Sequence, residues 1–394
     1  MKESLFNYRF EYENQKYIFN TNNNGLIQIN NDIFTEEERE YLRVNRFWVD
    51  DNEDEIALLE REINHNIQKR QKELELTIAL TNYCNFSCVY CYQNKNEKLM
   101  TTEVANMIIE KIDRILNDNI FEGINIHYFG GEPLLNIPVL IYLDENIKKI
   151  TDKIGIVYKA FLTTNGSMLS KELLQKVKFL SIQLTFDGLE KTHDRLRVSD
   201  HFHFKEEIEL IENIMNFSQA KVLLRTNICK ENKDEIIALH KYIFEKFGNE
   251  RIEINPNRTI KYHQDDSFEM LSVQEYAEVA YQIKLLWSEQ KGKFELPVPR
   301  STPCKFPYGN AYAISPEGYC TFCSGSMDQE KKYFFDVDIE NKKMFSVRKE
   351  CKKCNILPLC LGGCIIQYNL RAGACTYEKY ELKNILISYI KHIS

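Results

Sequence analysis

Residues 76–93 read LTIALTNYCNFSCVYCYQ. Leu76, Ile78 and Leu80 alternate in a short β-prone run, which ends in a loop carrying Cys84, Cys88 and Cys91 at C-x-x-x-C-x-x-C spacing. Three thiolates this close together can take three corners of a cubane iron-sulfur cluster, and the motif supplies no ligand for the fourth iron. A small molecule can bind at that open iron. Tyr90, directly before the last cysteine, is placed to cover the cluster or an adenine ring. Structural zinc wants four donors, usually from paired C-x-x-C knuckles, and a redox C-x-x-C pair has no use for Cys84.

The 394 residues leave room for two or three domains, one of them large enough for a barrel. Lys and Arg number 51 against 58 Asp and Glu, a formal charge of −7. The chain therefore lacks the cationic footprint that a phosphate backbone requires, and nucleic acid is a poor substrate for it. The start, MKESLFNYRF, has no apolar signal region, and no apolar run approaches membrane-spanning length. A soluble, cytoplasmic protein without membrane partners is expected. Of twelve cysteines, all but Cys229 fall in two groups, one in the first quarter and one in the last. In a reducing compartment such clustered thiols bind metal more often than they form disulfides. Cys229 reads as an ordinary buried thiol.

Residues 1–72 contain no cysteine. Short strands are expected at 6–12, 16–20 and 26–30, with helices at 35–44 and 53–71. From Leu74 to about Gln290 strands and helices alternate. Strands are expected at 76–80, 124–129, 159–164, 182–186, 222–227 and 252–255. Helical faces are expected at Val104, Ile108, Ile112 and Leu116, and at Ile208, Ile211 and Met215. Another is expected at Tyr276, Val279, Ile283 and Leu286, behind a Ser272–Glu275 capping box. Six strand-helix units imply an α/β fold, a partial (β/α)6 TIM-like barrel over residues 73–298, with its working loops after the strand ends. Those ends carry Gly130-Gly131-Glu132-Pro133, Asn165-Gly166 and Asp187-Gly188. Gly130 and Gly131 let backbone approach a ligand without an intervening side chain, and Glu132 can accept a hydrogen bond from an ammonium group.

These motifs together resemble the radical S-adenosylmethionine (SAM) enzymes. The C-x-x-x-C-x-x-C loop matches their cluster signature, and Gly130 to Pro133, one strand later, matches their methionine-binding motif. The segment TFDGLEKTHDRLR resembles their fourth-strand segment, in which Thr185 and Arg197 correspond to residues that contact the ribose and carboxylate of SAM. The N-terminal strands and helices resemble the winged-helix peptide-recognition domains of some radical SAM peptide maturases. A β-hairpin cap shielding the barrel edge fits the same pattern, and no signature residue decides between them.

From residue 299 to 376 the composition turns to cysteine and glycine, followed by a helix over 377–394. Thirteen residues separate Cys304 from Gly318 and four separate Gly318 from Cys323; after a gap come Cys351, Cys354, Cys360, Cys364 and Cys375. This resembles the seven-cysteine SPASM extension of radical SAM enzymes that modify peptides and proteins. A zinc ribbon would leave several of these cysteines unexplained. By resemblance, Cys351, Cys354, Cys360 and Cys375 hold one auxiliary four-iron cluster, and Cys304, Cys323 and Cys364 supply three ligands of another. Asn310 stands where some relatives have a cysteine, so Cys320 or a substrate thiolate completes that second site. The resemblance thus implies three 4Fe-4S clusters, SAM, and a flavodoxin- or ferredoxin-like electron donor.

In that family, SAM on the open iron is cleaved reductively to a 5′-deoxyadenosyl radical that removes hydrogen from an unactivated carbon. A barrel lined by apolar strand residues is expected to protect such a radical. In sulfatase-maturating relatives an aspartate follows the cysteine matched by Cys323, and Ser324 stands here instead. The expected function is therefore maturation of a ribosomally made precursor peptide by a thioether or other radical-derived cross-link, with residues 1–72 gripping its leader. Formylglycine formation, peptide epimerisation and an iron-sulfur sensor are the alternatives.

Overall fold

The computed structural model describes residues 1–29, 34–93, 96–118, 120–248, 251–261, 267–321, 323–326, 332–337, 344–364 and 375–393. They form two compact units, one of residues 70–271 and 309–342, the other of 1–69, 272–308 and 343–394.

In the other unit, β1 (Lys2–Glu3) pairs antiparallel with β5 (Trp48–Val49). Strands β2 (Asn7–Tyr12), β3 (Gln15–Asn20) and β4 (Gly25–Ile29) form an antiparallel meander with β4 at an edge. The strand expected to end at Asn30 is described to Ile29; Asn30 lies outside the described residues. Helix α1 (Glu36–Val44) starts at Thr35, whose side chain closes a capping box with Glu38. Helix α2 (Glu55–Arg70) packs Leu59, Ile63 and Ile67 with Phe6, Phe345, Val347 and Leu357.

The large sheet is built from β6 (Glu73–Ala79), β7 (Gly123–Phe129), β8 (Val157–Thr163), β9 (Phe179–Thr185), β10 (Lys221–Ile228) and β11 (Ile252–Arg258). These six run parallel and lie side by side in chain order. That is the expected partial barrel, an arc left open because β6 pairs on its other side with β12 (Ala311–Ile314) instead of β11. Antiparallel β13 (Tyr319–Thr321) and β14 (Lys332–Tyr333) extend the sheet beyond β12. Residues read from composition as part of the cysteine-rich region therefore contribute strands to the barrel sheet.

Alternation along each strand sorts the two faces. Ile124, Ile126 and Tyr128 of β7, with Ile182 and Leu184 of β9, are fully buried, while Asn125, His127, Phe129 and Gln183 between them are partly exposed. Helix α3 (Thr102–Asp118) buries Ala105, Ile108, Ile112, Ile115 and Leu116. Helix α4 (Ile137–Ile154), opened by Pro138 in its first turn, ends at Gly155 with φ of 82°. Helix Val273–Lys291, expected to complete the sixth unit of the barrel, belongs to the other compact unit. There it packs along helix Glu378–Ile393, with Tyr281 Oη 2.7 Å from Ser388 Oγ.

Candidate active site

The C-terminal ends of the parallel strands converge on the cysteine loop. Ser87 N–H donates to Val198 O at 2.8 Å and Val89 N–H to Leu196 O at 3.0 Å, so the loop is stitched to the segment carrying Arg197. Cys88 is pushed up to about 11, chiefly by burial. The Arg197 charge opposes that shift, and Cys91, Asp187 and Cys84 reinforce it. Cys84 and Cys91 are thus both within electrostatic reach of Cys88, and none of the three is in a disulfide. Cys84 Sγ accepts from Phe86 N–H at 3.4 Å and from Asn165 Nδ2 at 3.8 Å.

Gly130 and Gly131 have a structural reason to lack side chains. A Cβ on Gly130, whose φ is +138°, would stand 2.3 Å from Thr81 O, and one on Gly131 would stand 2.2 Å from Tyr83 O. Gly131 N–H donates to Thr81 O and Glu132 N–H to Tyr83 O, each at 2.9 Å. What the glycines admit is the backbone of the cysteine loop. Glu132 is fully enclosed, and its carboxylate accepts from Leu134 N–H at 3.0 Å, Thr164 Oγ1 at 2.7 Å and Asn165 N–H at 2.7 Å. Burial raises it to about 6 against these bonds. The geometry has Glu132 join the ends of β7 and β8 through these bonds.

Tyr90 hydrogen-bonds through its hydroxyl to Asp187 Oδ2, and its ring sits edge-on to Phe268 at 6.5 Å. Asp187, fully buried after β9, also accepts Asn227 N–H at 2.7 Å through Oδ1, and its carbonyl accepts Asn232 Nδ2 at 2.9 Å. The sequence places Asp187 at a working strand end, but its partners lie far along the chain and no local pattern names them. Cys229 is fully buried beside Asn232, as expected of a packing thiol, and is pushed up to about 12 by burial and Glu231.

Arg197 is 6% exposed and lies over the Phe86 ring at 5.4 Å, near Cys88, Tyr90, Glu207 and Asp187. Its buried Nε–H has no hydrogen-bond partner. A buried donor left this way invites an acceptor from a ligand. Thr185 ends β9 on the inner face. The inner face itself departs from expectation. It carries Asn125, His127, Lys159, Gln183, Arg225 and Asn255 together with the apolar Phe129, Phe161 and Leu223. The arc is lined by polar and apolar side chains together, while the fully buried strand positions alternate with them on the opposite face.

The tail cysteines divide between the units. In the one holding 343–394, Cys354 N–H donates to Cys351 O at 3.1 Å, and burial, Cys375 and Cys351 raise the Cys354 thiol. Burial pushes Cys360 up to about 11, with Cys354 nearby. Cys351, Cys354, Cys360 and Cys375, expected to share a cluster, are therefore neighbours. Leu361, Gly362 and Gly363 after Cys360 all have positive φ, at 46°, 82° and 69°. That turn leads to exposed Cys364, and Arg348 donates to Gly362 O. Exposed Cys304 lines a small cavity together with Cys351 and Arg348. In the barrel unit, Cys320 is buried in β13, and Cys323 Sγ accepts Gly325 N–H at 3.3 Å. Among the described residues no three His, Cys, Asp or Glu side chains are grouped to hold a metal ion.

The parallel α/β arc thus carries three free thiols after its first strand and a buried guanidinium with an unspent donor near Cys88. Residues 78–243 match the Radical SAM superfamily, and the chain carries a radical SAM domain. It is 24% identical over 372 residues to the radical SAM cyclopropyl synthase TigE of Paramaledivibacter caminithermalis, covering 83% of this chain and 76% of that one. Its fold resembles anSMEcpe with bound AdoMet (TM-score 0.66, 19% identity, 82% of this chain and 98% of the other). It also resembles Streptococcus suis SuiB bound to precursor peptide SuiA (TM-score 0.56, 16% identity, 93% and 96%). Other curated relatives are matched over a smaller part of their length. An uncharacterized protein of Methanocaldococcus jannaschii, 35% identical over 119 residues, is covered over 39%, and a GTP 3′,8-cyclase of Clostridium perfringens over 50%.

Proposed function

We propose that the chain is a radical SAM maturase of a ribosomally synthesised precursor peptide, acting by hydrogen abstraction to install a thioether or another cross-link. The observation that carries the chemistry is the meeting of Cys84, Cys88 and Cys91 with Arg197, whose buried Nε–H is unsatisfied. The donor set fits the implied groups: thiolates for a 4Fe-4S cluster and a fixed cation for the carboxylate of SAM. When bound, the pair supplies a 5′-deoxyadenosyl radical by one-electron cleavage of the sulfonium. Arg197 would hold the carboxylate of SAM and Thr185 its ribose, and Tyr90, fixed by Asp187, would close the site against water. The auxiliary clusters fall to Cys351, Cys354, Cys360 and Cys375, and to Cys304, Cys323 and Cys364 with Cys320 or a substrate thiolate.

A peptide substrate is supported by SuiB bound to a precursor peptide and by the sporulation killing factor maturation protein SkfB of Bacillus subtilis, 26% identical over 176 residues. The edge strand β4 offers unpaired backbone groups for a leader to join as a further strand. Residues 1–69 carry eight Lys and Arg against fifteen Asp and Glu, a balance of −7 that accounts for the charge of the whole chain. A leader with basic residues suits that surface, and its binding weakens with salt. Ser324 in place of an aspartate weighs against formylglycine formation.

The test is anaerobic reconstitution with SAM and dithionite, then mass spectrometry of a neighbouring short peptide after coexpression. Three four-iron clusters give about twelve irons per chain, and Cys84→Ala, Cys88→Ala and Cys91→Ala together leave about eight with no 5′-deoxyadenosine. Deleting residues 1–69 is expected to weaken peptide modification and spare uncoupled SAM cleavage. Equal modification by the shortened chain refutes leader recognition, and no 5′-deoxyadenosine from the intact chain refutes the enzyme.

A further inference from the structure

The charges on the inner face of the barrel are paired, with one exception. Glu75 meets Arg70 at 3.1 Å, Glu73 meets Lys159 at 3.0 Å, and Glu253 meets Lys221 at 2.6 Å. All three carboxylates lie toward the N-terminal ends of β6 and β11. Arg225 lies toward the C-terminal end of β10, between Thr185 of β9 and Asn255 of β11 in the strand register. Its Nε donates to Asn227 Oδ1 at 2.8 Å, and it has no ion pair among the described residues. Its flanks are neutral: Asn255 Nδ2 donates to Gln183 Oε1 at 3.3 Å across β10.

A guanidinium cannot shed its proton at any accessible pH. Holding it half-buried without a counter-anion costs desolvation energy that an arriving anion recovers. Its two Nη groups form a planar fork, the geometry that grips a carboxylate with two parallel hydrogen bonds.

We propose that Arg225 anchors a carboxylate of the substrate, from an Asp or Glu side chain or a chain terminus, beside Thr185. This rests on the peptide reading above, and it makes Arg225 the residue that selects an acidic segment for the barrel. The carboxylate of SAM itself is left to Arg197.

The test uses the full reconstituted chain with SAM and three probes: N-acetylglutamate N-methylamide, its glutamine counterpart, and N-acetylalanine. Ligand-observed NMR titration gives each Kd. At least one acid is expected to bind about tenfold more tightly than the neutral amide, the scale of a charged hydrogen-bonded pair. Preference for the glutamate probe assigns a side-chain carboxylate, and preference for N-acetylalanine a chain terminus. Arg225→Gln should erase the discrimination with the Kd for SAM unchanged, which also reports that the variant is folded. Arg225→Lys should keep part of it, as a point charge without the fork.

Equal binding of acids and amide by the unaltered protein overturns the proposal, whether or not the variants fold. So does Arg225→Gln that weakens SAM while leaving probe discrimination intact. Formation of 5′-deoxyadenosine is scored separately: a chain that cleaves SAM but ignores the carboxylate loses only the Arg225 assignment. One that discriminates acids but never cleaves SAM loses the maturase reading.

Discussion

Replacing Gly131 with alanine tests the link between the barrel and its first cluster. The new Cβ would stand 2.2 Å from Tyr83 O and 2.6 Å from Tyr83 C, so the two backbones must separate by about 1 Å to reach ordinary contact. Separation strains the bonds Gly131 N–H to Thr81 O and Glu132 N–H to Tyr83 O. Two buried backbone bonds and the overpacking together amount to about 2 to 4 kcal/mol of local stability. The displaced residue directly precedes Cys84, so the variant should lose the site-specific cluster before it loses its fold. Iron should fall by about four per chain, with the tail clusters kept. In hydrogen exchange the amides of Gly131 and Glu132 should open about 30-fold more readily, the factor for 2 kcal/mol. Full iron with unchanged protection at those two amides would show that the loop yields freely, and the account of the glycine pair would fail.

Three further outcomes are expected. His240 is fully buried 3.2 Å from Thr226 Oγ1 and held neutral, burial lowering it from 6.5 to about 3. The unfolded chain takes up that proton first, so this contribution is complete above pH 6.5 and is lost as pH falls toward 3, at about 1.4 kcal/mol per pH unit. Urea midpoints across that range should flatten in His240→Gln; an unchanged slope refutes the assignment. Cys360→Ala should remove about four irons and spare SAM cleavage, as measured by iron content and 5′-deoxyadenosine. Tyr90→Phe leaves Asp187 Oδ2 buried without its donor, a cost of about 1 to 3 kcal/mol, and should lower the thermal midpoint and weaken SAM binding. A variant matching the parent in both would exclude Tyr90 from the site.

Much of the barrel was legible because its strands alternate. Ile124, Ile126 and Tyr128 face the helices as their spacing predicts, and the cysteine loop follows the first parallel strand as expected. Helix faces were read less well. Ala105, Ile214, Ala280 and Trp287 are buried where the neighbouring Val104, Met215, Val279 and Leu286 were expected to be, because adjacent positions on a helix differ by only about 100° and apolar residues at both leave the edge of the buried stripe undetermined. The inner lining is mixed where an apolar one was expected: Phe129, Phe161 and Leu223 share it with Asn125, His127 and Arg225. Asn165, which bridges Glu132 and Cys84, and Asp187, which gathers Tyr90 and Asn227, are positioned by partners distant in sequence. No local pattern announces such pairings.

The pairing of β6 with β12 also bears on how the protein is made. Residue 75 lies beside residue 311, so the strand that leads into the first cysteines keeps an unpaired edge until nearly the whole chain has left the ribosome. A chain truncated before residue 311 therefore leaves that strand edge open beside three oxidisable thiols.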